Sequence, residues 1–165
     1  MKTRRFVAVL VIGLVAFAWS VALAQPDDPA TCAVSVTVAN IMEWEDNFTA
    51  IDLGTISSQA AVVTGLSTQT LYTNGDCTIS ADNTVTAELD EAGGDTLVTE
   101  YRLEYDGDGA GATGGSTVDW TAYNLFLGTA SSVTHVSLDG NVEVTLNARA
   151  SNATGTLGNA GAYSA

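Results

Sequence analysis

The chain is short of positive charge. Its 165 residues hold five lysines and arginines against 19 aspartates and glutamates, a net charge of −14. Such a balance excludes nucleic acid as an expected partner, because phosphate binding is driven by lysine and arginine. It also disfavours anionic lipid, keeps copies apart at low salt, and favours cations or screening salt wherever copies pack. Histidine is nearly missing too. His135 alone is available as a base near neutral pH, no nucleophile-elbow sequence accompanies it, and its place opposite Val136 and Leu138 on an alternating run predicts an exposed side chain. Acid pairs abound, but no spacing singles out the acid and base of glycoside chemistry. No catalytic residue is assigned, and the chain is expected not to be an enzyme. Helical periodicity is absent from every ten-residue window, in keeping with the glycine and threonine load.

Long apolar runs are confined to the start. Lys2, Arg4 and Arg5 precede the apolar Phe6–Trp19, and Ala22-Leu23-Ala24 offers the small residues a signal peptidase accepts. Residues 1–24 read as a signal peptide cleaved before Gln25, which predicts export to a periplasmic, cell-surface or extracellular place and no membrane attachment afterwards. The competing reading is an uncleaved anchor. Losing Lys2, Arg4 and Arg5 with the leader takes the net charge from −14 to −17. Both prolines of the chain, Pro26 and Pro29, fall in the acidic segment 25–31 that follows, and 32–165 reads as one domain.

What is present is strand sequence. In Thr31–Ile41, Cys32, Val34, Val36 and Val38 alternate with Ala33, Ser35, Thr37 and Ala39, the pattern of a strand with one buried side. Met42–Thr49 reads as an exposed excursion and Ala50–Ser57 as a return to strand. Ala61–Thr73 is β-branched and ends at Asn74-Gly75, a hairpin signal, as is Asp139-Gly140. In 98–105, Thr99, Tyr101, Leu103 and Tyr105 share one face; in 141–148, Val142, Val144, Leu146 and Ala148 do. Thr117–Leu127, with Trp120, Tyr123 and Phe126, is expected to feed the core. About nine short strands without intervening helices predict an all-β, antiparallel, immunoglobulin-like sandwich.

Two cysteines in an exported chain fit a disulfide, and Cys32–Cys77 would staple two strands. Loop closure of that length stabilises by about 4 kcal/mol in the chain-entropy model. Two free buried thiols are the alternative. The Asp106–Ser116 loop holds five glycines, and Asp106 and Asp108, two apart, could wrap a hard cation such as calcium; Ala110 and Thr117 stand where further oxygen ligands of an EF-hand loop belong, which favours a solvated loop. No other cofactor is implied. Asn47-Phe48-Thr49 and Asn152-Ala153-Thr154 fit the N-glycosylation pattern.

The last residues, among them Gly161, Ala162 and Tyr163, look like the start of a strand that does not follow. Either the sandwich lacks its final strand and a neighbour completes it at this edge, or the chain is cut short. Cys32, the Leu53-Gly54-Thr55-Ile56 step, Cys77, the Leu103-Glu104-Tyr105 run and Ala160-Gly161-Ala162-Tyr163-Ser164 together resemble the secreted spore coat protein U type of domain. That family is similar to the pilin subunits of chaperone–usher systems. The resemblance implies a fimbrial or other surface subunit that pairs by strand complementation with copies of itself or related subunits, and it carries over no catalytic residue. Gln25–Thr31 departs from the apolar N-terminal extension of such subunits. The leading expectation is thus a structural subunit of an appendage, coat or extracellular matrix. The alternative is a self-contained secreted module that binds carbohydrate or a cation through its acidic, glycine-rich loops.

Overall fold

The structure is a computed structural model that describes residues 34–81, 87–106 and 112–165. The chain divides into two units, Met1–Thr37 and Val38–Ala165. Of the first, the described residues 34–37 form no strand and are exposed, with Val34 90 % and Val36 87 % accessible.

The second unit is nearly all β, with two antiparallel sheets packed as a sandwich. Its elements are β1 (Met42–Trp44), β2 (Val62–Thr73), β3 (Cys77–Ser80), β4 (Val98–Tyr105), β5 (Gly114–Gly115), β6 (Val118–Ala122), the single helical turn α1 (Tyr123–Phe126), β7 (Ala130–Thr134) and β8 (Asn141–Ser151). The larger sheet runs β1-β2-β8-β4-β6 and the smaller β3-β7-β5. Alternation sets which side chains face the core. Leu71 lies opposite Val142 across β2 and β8, and Leu103 opposite Leu146 across β4 and β8. On the outer face, the Thr68 and Thr145 hydroxyls bond at 2.9 Å, and Arg149 pairs with Glu100 at 2.7 Å while its guanidinium lies 4.5 Å over the Trp120 ring.

Several expectations are corrected. The described part of Thr31–Ile41, residues 34–41, is irregular and exposed; among the described residues the first strand is β1, inside the expected excursion. Its three residues pair with the end of β2, and Trp44 meets Phe48 edge to face at 5.2 Å. The stretch 50–57 carries no strand hydrogen bonds of its own. Asn74-Gly75 and Asp139-Gly140 are not hairpin turns. Each carries the chain from one sheet to the other, because β2 and β8 belong to the larger sheet and β3 and β7 to the smaller. The two crossings touch, Thr73 N–H donating to Gly140 O at 2.8 Å, and the Asn74 carboxamide is spent on Ile41 N–H and Ala39 O. Trp120 lies on the outer face under Arg149, so of the expected aromatic cluster it is Phe126, in α1, that enters the core. His135 is half-buried rather than exposed, with Nδ1 enclosed and without a partner among the described residues.

The core joins Leu71, Leu103, Val142 and Val144 of the larger sheet to Val133 of the smaller one and Phe126 of α1. Leu71, Val142 and Val133 are 1 % accessible and Val144 0 %. The smaller sheet therefore covers one half of the larger sheet's inner face. The other half, around Val63, Gly65 and Ala150, is roofed by chain that is not in strands.

Candidate functional site

Three irregular segments meet over that second half and leave a cleft of about 640 Å³. Its floor is Val63 and Ala150, its walls Ile51–Ser58 on one side and Leu157–Tyr163 on the other, with Leu89 and Leu97 between them. This volume falls within the range of ordinary binding sites.

The first wall is placed by Gly65. A Cβ there would come within 2.6 Å of Ile51 Cγ2 and 3.1 Å of both Asp52 O and Leu53 Cδ2, so the missing side chain is what lets Ile51–Leu53 cross the sheet in contact. Ile51 and Leu53 are half-buried and Asp52 exposed, strand-like alternation that breaks at Gly54, whose φ is +77°. Beyond the kink Ile56 is turned inward instead. Among the described residues, one backbone group from Ile51 to Ser57 finds a protein partner, the Gly54 N–H on Asp52 Oδ1 at 2.8 Å. A run with unspent donors and acceptors beside an apolar floor has the hydrogen-bonding chemistry of an open strand edge.

The floor's far end is pinned to β4. Leu89 N–H donates to Thr99 Oγ1 at 3.0 Å, Leu97 N–H donates to Leu89 O at 3.0 Å, and the Tyr101 hydroxyl donates to Ala87 O at 2.8 Å. Burial pushes the Tyr101 phenol above its ordinary value, so it remains a donor.

The second wall is held by side chains. Gly158 N–H donates to Asn152 Oδ1 at 2.9 Å, while Asn152 Nδ2 reaches Ser58 O at 3.3 Å on the opposite wall. Asp95 Oδ2 accepts from Asn159 N–H at 2.7 Å and from the Tyr163 hydroxyl at 2.8 Å. Those bonds, the backbone one first, hold the Asp95 carboxyl below its usual value; Tyr163 is raised by desolvation and then by its bond to Asp95. Ser164 and Asp90 exchange two backbone bonds, 3.0 and 3.1 Å.

Of the residues singled out in sequence, Gly161, Ala162 and Tyr163 line this cleft, together with the Leu53-Gly54-Thr55-Ile56 step some hundred positions earlier. Cys77 heads β3 against the core, its thiol raised chiefly by burial; Cys32 lies outside the described residues. Asp106 follows β4 with its N–H on Glu143 O at 3.0 Å, and Asp108 lies outside the described residues. Among the described residues no group of three or more His, Cys, Asp or Glu side chains could hold a metal ion. The Asn152 carboxamide is committed within the fold, whereas Asn47 is exposed. Of the two residues that fix the second wall, Asp95 escaped the sequence reading and Asn152 was marked only for a glycosylation pattern. Both sit in polar turns and meet their partners only through tertiary contacts.

Comparison of the chain with protein-family models, with curated proteins and with solved structures finds no match.

Proposed function

We propose that the chain is a non-enzymatic, exported structural subunit of a surface appendage, coat or extracellular matrix, and that copies join when an extended segment of one enters the cleft of another. The observation that carries this reading is the Ile51–Ser57 wall, a run outside any strand whose backbone groups are almost all unspent, set beside an apolar floor. A guest strand would satisfy those groups and bury its alternate side chains, the two gains of strand addition. The segment that suits it is Val34–Val38 of a neighbouring copy. Its three valines alternate with small and polar residues and are exposed, and no charged residue lies between Asp28 and Glu43 in a chain otherwise crowded with acid.

Charge bears on the conditions. Two copies at −17 repel, so joining should strengthen with salt until the field is screened. A Cys32–Cys77 bond within one chain would tether the donor at its start, while Ile41 N–H is already held by Asn74 Oδ1 at 2.7 Å. Oxidation should therefore keep the segment at home.

The test is light scattering on the size-excluded mature protein, with and without reductant, across a salt series. Oligomers that form in salt, grow on reduction and are capped to monomers by a free Thr31–Ile41 peptide support the reading. A monomer that ignores salt, reductant and peptide overturns it.

A further inference from the structure

The two walls of the cleft are not held alike. Ile51–Ser58 rests on Gly65 by apolar contact, and moving it would disturb the packing of Ile51 and Leu53. Gly158–Tyr163 touches the fold mostly through hydrogen bonds, and its residues 159–162 are exposed. The ends of this second wall are separately fastened, by the Asn152 carboxamide at Gly158 and by the Asp90 and Ser164 backbones beyond Tyr163. Between those ends the shortest hold is one oxygen, Asp95 Oδ2, which takes both the Asn159 N–H and the Tyr163 hydroxyl, with a longer contact from Asn159 Nδ2 to Glu91 Oε1 at 3.3 Å beside it.

Tyr163 connects this clasp to the cleft. A Cβ on Gly158 would stand 2.9 Å from the Tyr163 hydroxyl and 3.2 Å from Leu97 Cδ2, so Tyr163 crosses the strap close to the side chain at the cleft's inner end. Glycines at 155, 158 and 161, the first at φ +81°, let the backbone on either side change direction at little steric cost.

We propose that Gly158–Tyr163 is a strap clasped by Asp95, and that releasing the clasp widens the cleft to admit its guest. Asp95 acts as a positioning residue through Asn159 and Tyr163. The guest's identity rests on the reading of the cleft as the assembly site; the strap itself does not.

The experiment uses the mature protein and two probes, amide hydrogen exchange across 158–164 and binding of Nile red, a neutral apolar dye that reports access to the cleft. The Thr31–Ile41 peptide is added in parallel. Asp95→Ala should speed exchange at Asn159 about tenfold, the factor carried by one lost hydrogen bond to a charged acceptor, and should raise dye and peptide binding with it. Asp95→Asn, which keeps an acceptor oxygen, should lie close to the parent. Tyr163→Phe removes one donor and keeps the ring, so it should show a smaller effect in the same direction, and it serves if Asp95→Ala does not fold. Unchanged exchange in the Ala and Phe variants overturns the clasp. Faster exchange with dye binding unchanged overturns the gate. Greater dye binding in Asp95→Ala with no peptide bound to any variant supports the strap and overturns the assembly reading instead.

Discussion

The inner face of the larger sheet is covered in two ways. Over Leu71, Val142 and Val144 lies a second sheet, in which β3 and β5 both pair with β7, and Val133 seals the contact to 1 % accessibility. Over Val63 and Ala150 lie the Ile51–Ser58 wall and a strap, which leave a cleft. The floor is apolar in both halves. The difference is in the roof, because the first is bonded strand to strand and the Ile51–Ser57 wall is not, and unspent backbone beside an apolar floor is where another strand can add.

The largest expected effect tests the closed half. Leu71→Ala removes a side chain that packs between β2, β8 and the smaller sheet, and should cost about 2–5 kcal/mol in urea unfolding. Leu157→Ala, at the cleft and 69 % accessible, should cost about 0.5 kcal/mol or less. Equal losses at the two sites would erase the distinction between a packed and an open half.

A second substitution sharpens the comparison from the side of the cleft. Gly65→Ala places a methyl group against Ile51 and the Asp52 carbonyl, and the wall must shift or strain. We expect a loss of about 1–3 kcal/mol together with increased dye access to the cleft. A neutral melting temperature would mean that the wall rides freely on the sheet.

Much of this contrast was legible in the sequence and part of it was not. The inward faces of β4 and β8 follow from alternation, since Val144 stands in a run whose every second residue is apolar and Leu103 in one whose alternate residues are aromatic, apolar or threonine. The sandwich class follows from such runs as well. What alternation does not carry is the pairing partner. Asn74-Gly75 bends the chain and Asp139-Gly140 follows a tight turn at Ser137-Leu138, but whether a bend returns a strand to its neighbour or sends it to the other sheet depends on contacts distant in sequence, here β2 with β8 and β3 with β7. Val34–Val38 shows the same limit. The pattern is that of a strand, and a strand needs a second chain segment to bond to. The cleft was half legible: Gly161–Tyr163 and Leu53–Ile56 were marked separately, and only the fold brings them to facing walls. Asp95 gave no signal at all within its acidic turn.

On the outer face, a smaller effect separates ornament from support. Arg149 and Glu100 are about a third and a quarter exposed, so solvent screens their attraction, while the guanidinium also lies on Trp120. A double-mutant cycle with Arg149→Met and Glu100→Gln should give a coupling of about 1 kcal/mol or less, which salt reduces. A larger, salt-insensitive value would make this face, rather than the cleft, the better-organised polar site.

The smallest expected effect is the pH dependence of the strap, and its sign is fixed by the direction in which Asp95 is shifted. Asn159 N–H and the Tyr163 hydroxyl favour the ionised carboxylate, so the carboxyl titrates below 3.8 in the folded chain and near 3.8 in the unfolded one. A group lowered in this way contributes stability that is full above the unfolded value and is lost as pH falls through the folded one. Asp95 is only half-buried at the surface, where solvent screens its charge, which keeps that contribution small. Exchange at Asn159 should therefore be protected from neutral pH down to about pH 4 and lose protection below it, after correction for intrinsic exchange. In Asp95→Asn the step should vanish, because the carboxamide does not titrate in this range. Glu91, whose Oε1 lies 3.3 Å from Asn159 Nδ2, faces the same strap and is the competing cause. Should the step persist in Asp95→Asn and disappear in Glu91→Gln, the side-chain contact through Asn159 Nδ2 would hold the strap, and the clasp would belong to Glu91.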